Sequence, residues 1–282
     1  MSAAPGTPAD EEGLDAAERR AEKQAKKERK ARRRARWRIE HRLGSPAFLH
    51  GLPLPDPLRR SVWVMGATSA AVALGSAQRS EAVDAARAQA AGFEVVRRHS
   101  GGGAVVLQPG AMRWIDVLVP AGDPFWQDDV GRSFLWLGQA WADALAAVGV
   151  AADVHTGAPI RNEWSPLVCF SGLGTGEVTV GGRKVVGFSQ RRTRAGARFQ
   201  CLVLADWDPR PLLSVLDLDP AERARGAVEL ADVATGVGTD RLGPLVAARL
   251  TTLEGRRVPT TPRGTVVGGE QPLKIPLETR KC

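Results

Sequence analysis

Apolar residues fall in short bursts along this chain, and their period changes from one burst to the next. SVWVM (61–65), AAVALG (70–75), FEVVRR (93–98), AVVLQ (104–108) and WIDVLVP (114–120) are rich in β-branched residues. Polar or glycine-bearing stretches bound them, so they predict strands. SEAVDAARAQAAG (80–92) predicts a helix: Ser80 can cap it, the alanines propagate it and Gly92 can end it. From Asp128 to about Gly149, Val130, Phe134, Leu137, Trp141, Leu145 and Val148 step by three or four, which predicts a second helix with one face on a core. LVCF (167–170), GEVTV (176–180), RKVVGFSQ (183–190) and RFQCLVLA (198–205) predict further strands, and PLLSVL and DRLGPLVAARLTTL predict C-terminal helices. Helices alternate with strands, but hairpins are present too. The expected class is therefore α/β (α+β), with a mixed β-sheet and flanking helices.

Charge changes the picture at one end only. Of the chain's net +8, residues 16–42 carry thirteen Lys and Arg against four Glu, a local +9, which leaves about −1 for the rest. This segment has strong helix formers and no apolar stripe, so it reads as a basic arm, helical or disordered, over residues 1–44. Its deletion, through residue 42, is expected to leave the main chemistry in place. Residues 45–255 form the expected domain and 256–282, rich in Pro and Gly, a loose tail. A domain that is not itself basic argues against a nucleic-acid partner. No run of about 18 apolar residues predicts a membrane span, and no apolar leader follows the N-terminus. Cys169, Cys201 and Cys282 are few, odd in number and widely spaced. They form neither a disulfide framework nor a metal pattern, and a reducing cytoplasm is expected.

Three stretches carry candidate chemistry. In VGGRKVVG two glycines join two β-like runs, a hairpin signal. Plain alternation then puts Lys184 and Val186 on the face opposite Arg183. Lys184 either snorkels off the strand end or points over the sheet. In RRHSGGGAV, three consecutive glycines do nothing for a core. They either make a flexible turn or let the backbone approach a ligand, with Arg97 and Arg98 beside it. In WSPLVCFSG, Cys169 precedes a glycine-rich loop, where nucleophiles are often presented. Cys201, in FQCLVL, reads as core.

Taken together, RRHSGGGAV, GRKVVG and AVALGSAQ (71–78) resemble the lipoate–protein ligase and octanoyltransferase family, whose fold is shared with biotin–protein ligases. The resemblance covers roughly residues 45–255. It implies a biotin/lipoate–protein ligase-like catalytic core. It also implies an acyl site built from Arg98, Ser100, Gly101, Gly102, Gly103, Ala104, Lys184, Val186, Gly187 and Ser189, with no metal in the transferase case. One transferase group of that family uses a Cys-Phe pair fifteen residues before the lysine, with a glutamate between. Here Cys169-Phe170, Glu177 and Lys184 have that spacing. The Asn-Asp pair of typical ligases is missing from GTGEVTV, and Leu107-Gln108 stands where many relatives have His-Asp. The SGGGAV loop, by contrast, is more ligase-like.

The resemblance thus implies transfer of an octanoyl or lipoyl group through a Cys169 thioester. The donor would be an acyl-carrier protein. The acceptor would be the lysine of a lipoyl domain, such as glycine cleavage H protein or a 2-oxoacid dehydrogenase subunit. That reaction needs no cofactor, whereas the alternative, an ATP-dependent ligase, needs ATP and Mg. A non-catalytic relative on the same scaffold is a further alternative. Lys184 and the N–H groups of Gly101–Gly103 would stabilise the oxyanion, and His99 and His155 are candidates for the base. Because a strand-end lysine adds little packing, Lys184→Ala is expected to abolish transfer with the fold intact.

Overall fold

A computed structural model of the chain describes residues 36–238 and 242–252, together with 23, 24 and 26. The tail at 256–282, the expected loose segment, and most of the basic arm lie outside the described residues.

Ten strands form two sheets. The large sheet has the order β1-β2-β6-β10-β9-β8-β7: β1 (Arg38–Gly44), β2 (Ser61–Ala67), β6 (Met112–Pro120), β10 (Gly196–Leu204), β9 (Arg183–Thr193), β8 (Val178–Val180) and β7 (Asp153–Val154). Only its β1–β2 pair is parallel. The small sheet places β3 (Ala71–Leu74) between β4 (Glu94–Arg97), parallel to it, and β5 (Val105–Leu107), antiparallel. The expected mixed sheet with flanking helices is present.

The helices are α1 (Pro46–Gly51), α2 (Ala85–Ala90), α3 (Leu135–Ala146), α4 (Arg210–Val215), α5 (Pro220–Glu229) and α6 (Leu242–Thr251). One core lies between the large sheet and α3 with α6, where Leu137, Trp141, Val246 and Leu250 meet Val117, Phe199 and Val203. A second lies between the sheets, from Trp63, Trp114 and Leu118 to Val105, Leu107 and Phe170. A third packs α2, α4 and α5 on the outer face of the small sheet. The central strands are thus covered on both faces, which is why β6 reads as an almost unbroken apolar run.

Local physics corrects several expectations. Residues 38–44, assigned to the arm, form the edge strand β1, and Trp37 is buried against Phe125 and Trp136. The helix expected over 80–92 is short because Val83 pairs with Leu216. Asp84, not Ser80, caps α2 by accepting from Arg87 N. The helix expected from Asp128 begins at a 3-10 turn, Arg132–Phe134, where Asp129 accepts from Arg132 N, so Val130 stays exposed. LVCF is not a strand: it turns, touching Ala104 through a single parallel bridge at Val168. Sequence reasoning missed α5, although Asp219-Pro220 with Glu222 is a complete capping box.

One buried ion pair ties these layers together. Arg198 of β10 donates to Asp116 of β6, and also to the carbonyls of Leu49 (2.7 Å) and Leu52 (2.9 Å) at the end of α1. Asp116 also accepts from Trp114 Nε1 at 2.7 Å.

The edge strand generates a prediction. Deleting residues 1–35 leaves Trp37 and β1 in place and should shift the melting temperature by less than about 2 °C. Deleting 1–44 removes both, and burial of a Trp alone is worth about 3–5 kcal/mol, so a drop of about 10 °C is expected. Thermal unfolding of the two truncations checks this, and equal melting temperatures would count against a structural β1.

Candidate active site

The glycine hairpin forms as the sequence requires. Gly181 and Gly182 have φ of 56° and 77° and join β8 to β9. A bulge follows, because Thr179 pairs with Lys184 but Val178 pairs with Val186, leaving Val185 extra. Lys184 and Val186 therefore do not share a face as plain alternation predicts. Val185 and Val186 enter the core under α3, while the Lys184 chain crosses to the other side, beneath the Cys169 loop.

There the ammonium is fully engaged. Nζ lies 2.7 Å from Glu177 Oε2 and donates to the carbonyls of Cys169 and Gly172, both at 3.1 Å. It also sits 5.0 Å from the centre of the Phe170 ring. The charge is thus committed to a buried carboxylate and two carbonyls. Glu177 also accepts from Phe188 N at 2.9 Å and Gly174 N at 2.6 Å. Both side chains are buried. Lys184 is thus a buried, paired strut under the loop that presents Cys169, not a weakly packed strand-end lysine.

The two arginines of RRHSGGG part company. Arg97 turns outward to Gly75 O and Ser80 Oγ, at 3.1 and 3.0 Å. Arg98 is buried and threads the glycine loop: its Nη2 donates to Gly101 O (2.7 Å) and Gly103 O (2.9 Å), and lies 3.7 Å from Cys169 Sγ. The cation beside the sulfur is therefore Arg98. Two of the glycines are needed for packing after all. A Cβ on Gly103 would lie 2.6 Å from Val168 N, and one on Gly102, whose φ is 98°, would lie 2.8 Å from Arg98 Nη2. Ala104 N donates to Leu167 O (2.7 Å), and Cys169 N donates to Ala104 O (2.9 Å). The glycine loop and the cysteine loop are joined backbone to backbone.

Cys169 lines a small, partly open pocket between the sheets. Most of the lining is apolar, including Val105, Leu107, Trp114 and Phe170. Of the expected site residues, Arg98, Cys169, Gly187 and Ser189 line it. Gly102 instead borders an open groove with Gln78, Arg161, Asn162 and Ser165. Ser100, Gly103, Ala104 and Lys184 are buried outside its lining, Gly101 is exposed, and Val186 lies in the α3 core. His99 and His155 line neither the pocket nor the groove. His155 Nε2 is within 2.8 Å of Ala158 O. Cys201 touches the pocket, but burial pushes its thiol well up from the ordinary range.

Sequence reasoning missed His50, at the end of α1. Its ring packs on Trp114 with centroids 4.4 Å apart, and it lines the pocket. Gln200 Nε2 lies 3.1 Å from its Nδ1, and Gln200 Oε1 accepts from Ser100 Oγ at 2.9 Å. No motif marks His50, because helix and pocket meet only in the folded chain.

These observations can be set beside known proteins. The model of the lipoyl protein ligase A/B catalytic domain matches residues 58–238. The chain belongs to that family. An octanoyltransferase LipM from Moorella thermoacetica is 29% identical over 156 residues, which is 55% of this chain. The chain spans about half the length of that curated relative, 52%. Among solved structures, a bipartite lipoate protein ligase from Thermoplasma acidophilum, described with its E2 lipoyl domain, superposes with a TM-score of 0.55 at 17% identity. That match covers 76% of this chain and 83% of the other. LipL1 of P. falciparum in complex with lipoate gives 0.52 at 13% identity, over 77% and 61%. At these identities the two structures show the ligase fold, as expected. The matched segment contains the glycine loop, Cys169 and Lys184 but starts after His50. No helix among the described residues is long and apolar enough to cross a membrane.

Two predictions follow from the buried groups. Lys184→Ala leaves the Glu177 carboxylate buried without its cation and should cost about 3–5 kcal/mol of stability. Lys184→Met combined with Glu177→Gln should recover part of that loss. Urea denaturation of wild type and the two variants decides it, and an unchanged Lys184→Ala midpoint would return Lys184 to the strand-end role. His50 is pushed down from 6.5 to about 3, first by burial and then by the charges of Arg98, Arg198 and His99. Below pH 6.5 the unfolded chain binds a proton that the folded chain refuses. The stability tied to His50 is therefore full above that pH and is lost as pH falls toward 3. Between about pH 7.5 and about pH 5, wild type should lose about 2 kcal/mol more than His50→Gln. Coincident pH profiles would mean that His50 titrates normally in the fold.

Proposed function

We propose that this chain is an acyltransferase that moves an octanoyl or lipoyl group to a lysine of a lipoyl domain through a thioester on Cys169. The observation that carries this reading is a cysteine Sγ at the mouth of an apolar pocket with a buried guanidinium 3.7 Å away. A thiolate is the reactive form, and a fixed cation beside it offsets its charge. Cys169 attacks the donor thioester carbonyl, the tetrahedral adduct collapses, and the donor thiolate leaves and takes up a proton. The acceptor lysine, as the free amine, attacks the new thioester, forms the amide, loses a proton and returns Cys169 as thiolate. The eight-carbon chain lies in the apolar pocket, where each buried methylene is worth about 0.8 kcal/mol. The groove beyond Gly102 offers donor and acceptor an approach from outside. An acyl-carrier protein fits as donor, and glycine cleavage H protein or a 2-oxoacid dehydrogenase subunit fits as acceptor.

The ligase-like SGGGAV loop supports a second reading, in which ATP and Mg activate the free acid. The residues present fit it less well. Lys184, the cation that would meet an acyl phosphate, is committed to Glu177 and two carbonyls.

Octanoyl-carrier protein alone should add one octanoyl mass to the protein, and neutral hydroxylamine should remove it. Cys169→Ser should lose the adduct and Cys201→Ser should keep it. Intact-mass spectrometry reads all four. A Cys169→Ser protein that acylates a lipoyl domain at full rate from ATP and octanoate would replace the transferase reading with the ligase one.

A further inference from the structure

An acyl pocket needs a hydrogen-bond donor for the one polar atom that a saturated acyl group carries, its carbonyl oxygen. The expected donor, Lys184, lies beneath the loop, paired with Glu177 and bonded to the carbonyls of Cys169 and Gly172, and does not line the pocket. Among the described residues, seven buried side-chain polar atoms have no hydrogen-bond partner, and only one of them, His50 Nε2, belongs to a residue that lines this pocket. His50 is 6% exposed. Its ring packs at a tilt on Trp114, and its Nδ1 is held by Gln200, whose amide bonds to Ser100. With Gln200 Nε2 donating to Nδ1, the imidazole proton resides on Nε2. A buried imidazole kept only for packing would not need a three-residue relay to fix its tautomer, nor leave the other nitrogen unbonded beside a nucleophile's pocket.

We infer that His50 is the oxyanion donor of this pocket, its Nε2–H hydrogen-bonding the carbonyl oxygen of the acyl group carried through Cys169. The inference rests on the Cys169 thioester reading. As the sulfur adds to the carbonyl carbon, the π electrons move to oxygen and the N–H···O bond strengthens. Collapse returns the electrons and expels the leaving thiolate, and His50 keeps its proton throughout. The groups facing the ring favour a neutral donor over a base, since burial and the charges of Arg98 and Arg198 oppose a second proton. Arg98 lies near both centres: it borders Cys169 Sγ directly and its field reaches His50.

The test uses the full-length protein and two readouts. For adduct formation from octanoyl-carrier protein, His50→Phe should lower the single-turnover rate by about 10²-fold with KM within about 3-fold. His50→Gln, which restores an N–H near the Nε2 position, should return it to within about 10-fold of wild type. The second readout is the infrared carbonyl stretch of ¹³C=O-labelled octanamide bound in the pocket. The band should lie lower in wild type and His50→Gln than in His50→Phe. Equal losses for Phe and Gln, or a band unmoved in His50→Phe, would overturn the inference. Should His50→Phe not fold, Gln200→Leu removes the group that fixes the tautomer and is read in both assays, with a slower rate and a raised band expected. A wild-type protein that forms no adduct would sink the thioester reading, and the octanamide band would still decide on His50.

Discussion

A guanidinium sealed inside a protein must find partners in every direction, and Arg198 of β10 finds them in β6 and at the end of α1. Its ion pair with Asp116 joins the two central strands, and its remaining N–H groups collect carbonyls at the end of α1. Those carbonyls have no partner within so short a helix, so the charge both satisfies them and is satisfied by them. Removing either member would strand the other in a medium that does not tolerate a lone charge. The result is a fixed point between the sheets. Gln200 lies two residues along the same strand and His50 lies between the two captured carbonyls of α1, so the polar wall of the pocket is held in register by this one pair.

The pocket region divides its cations by task. Arg98 meets the sulfur and braces the glycine loop; Lys184 meets a carboxylate and braces the loop from below. A single nitrogen of Arg98, Nη2, meets two carbonyls of the glycine loop and lies beside the sulfur, while Nζ of Lys184 sits where a carboxylate and two carbonyls converge.

Much of this was legible along the chain. Runs of β-branched residues marked most strands, and paired glycines marked the hairpin that carries Lys184. The spacing of Cys169, Glu177 and Lys184 marked three residues that the fold brings together. What escaped depends on tertiary context. Val83 looks helical until Leu216 pairs with it. The arm looks wholly solvated until Trp37 finds Phe125 and Trp136. Period-two counting cannot see the extra residue at Val185, yet that residue decides which way Lys184 points. His50 carries no local signal, since its meaning comes from strands more than sixty residues away.

The contact between Gly103 and the 167–168 backbone leaves no side chain to yield on either side. Two segments that meet in this way behave as a single rigid plate, with Cys169 on one half and the Arg98 brace on the other. A methyl group added at position 103 would therefore be felt chiefly at the sulfur, across the seam, and hardly at all as a lost ligand contact. Glycine tracts in such a site are commonly scanned for what they bind. In this protein the informative measurement at Gly103 is the reach of Cys169.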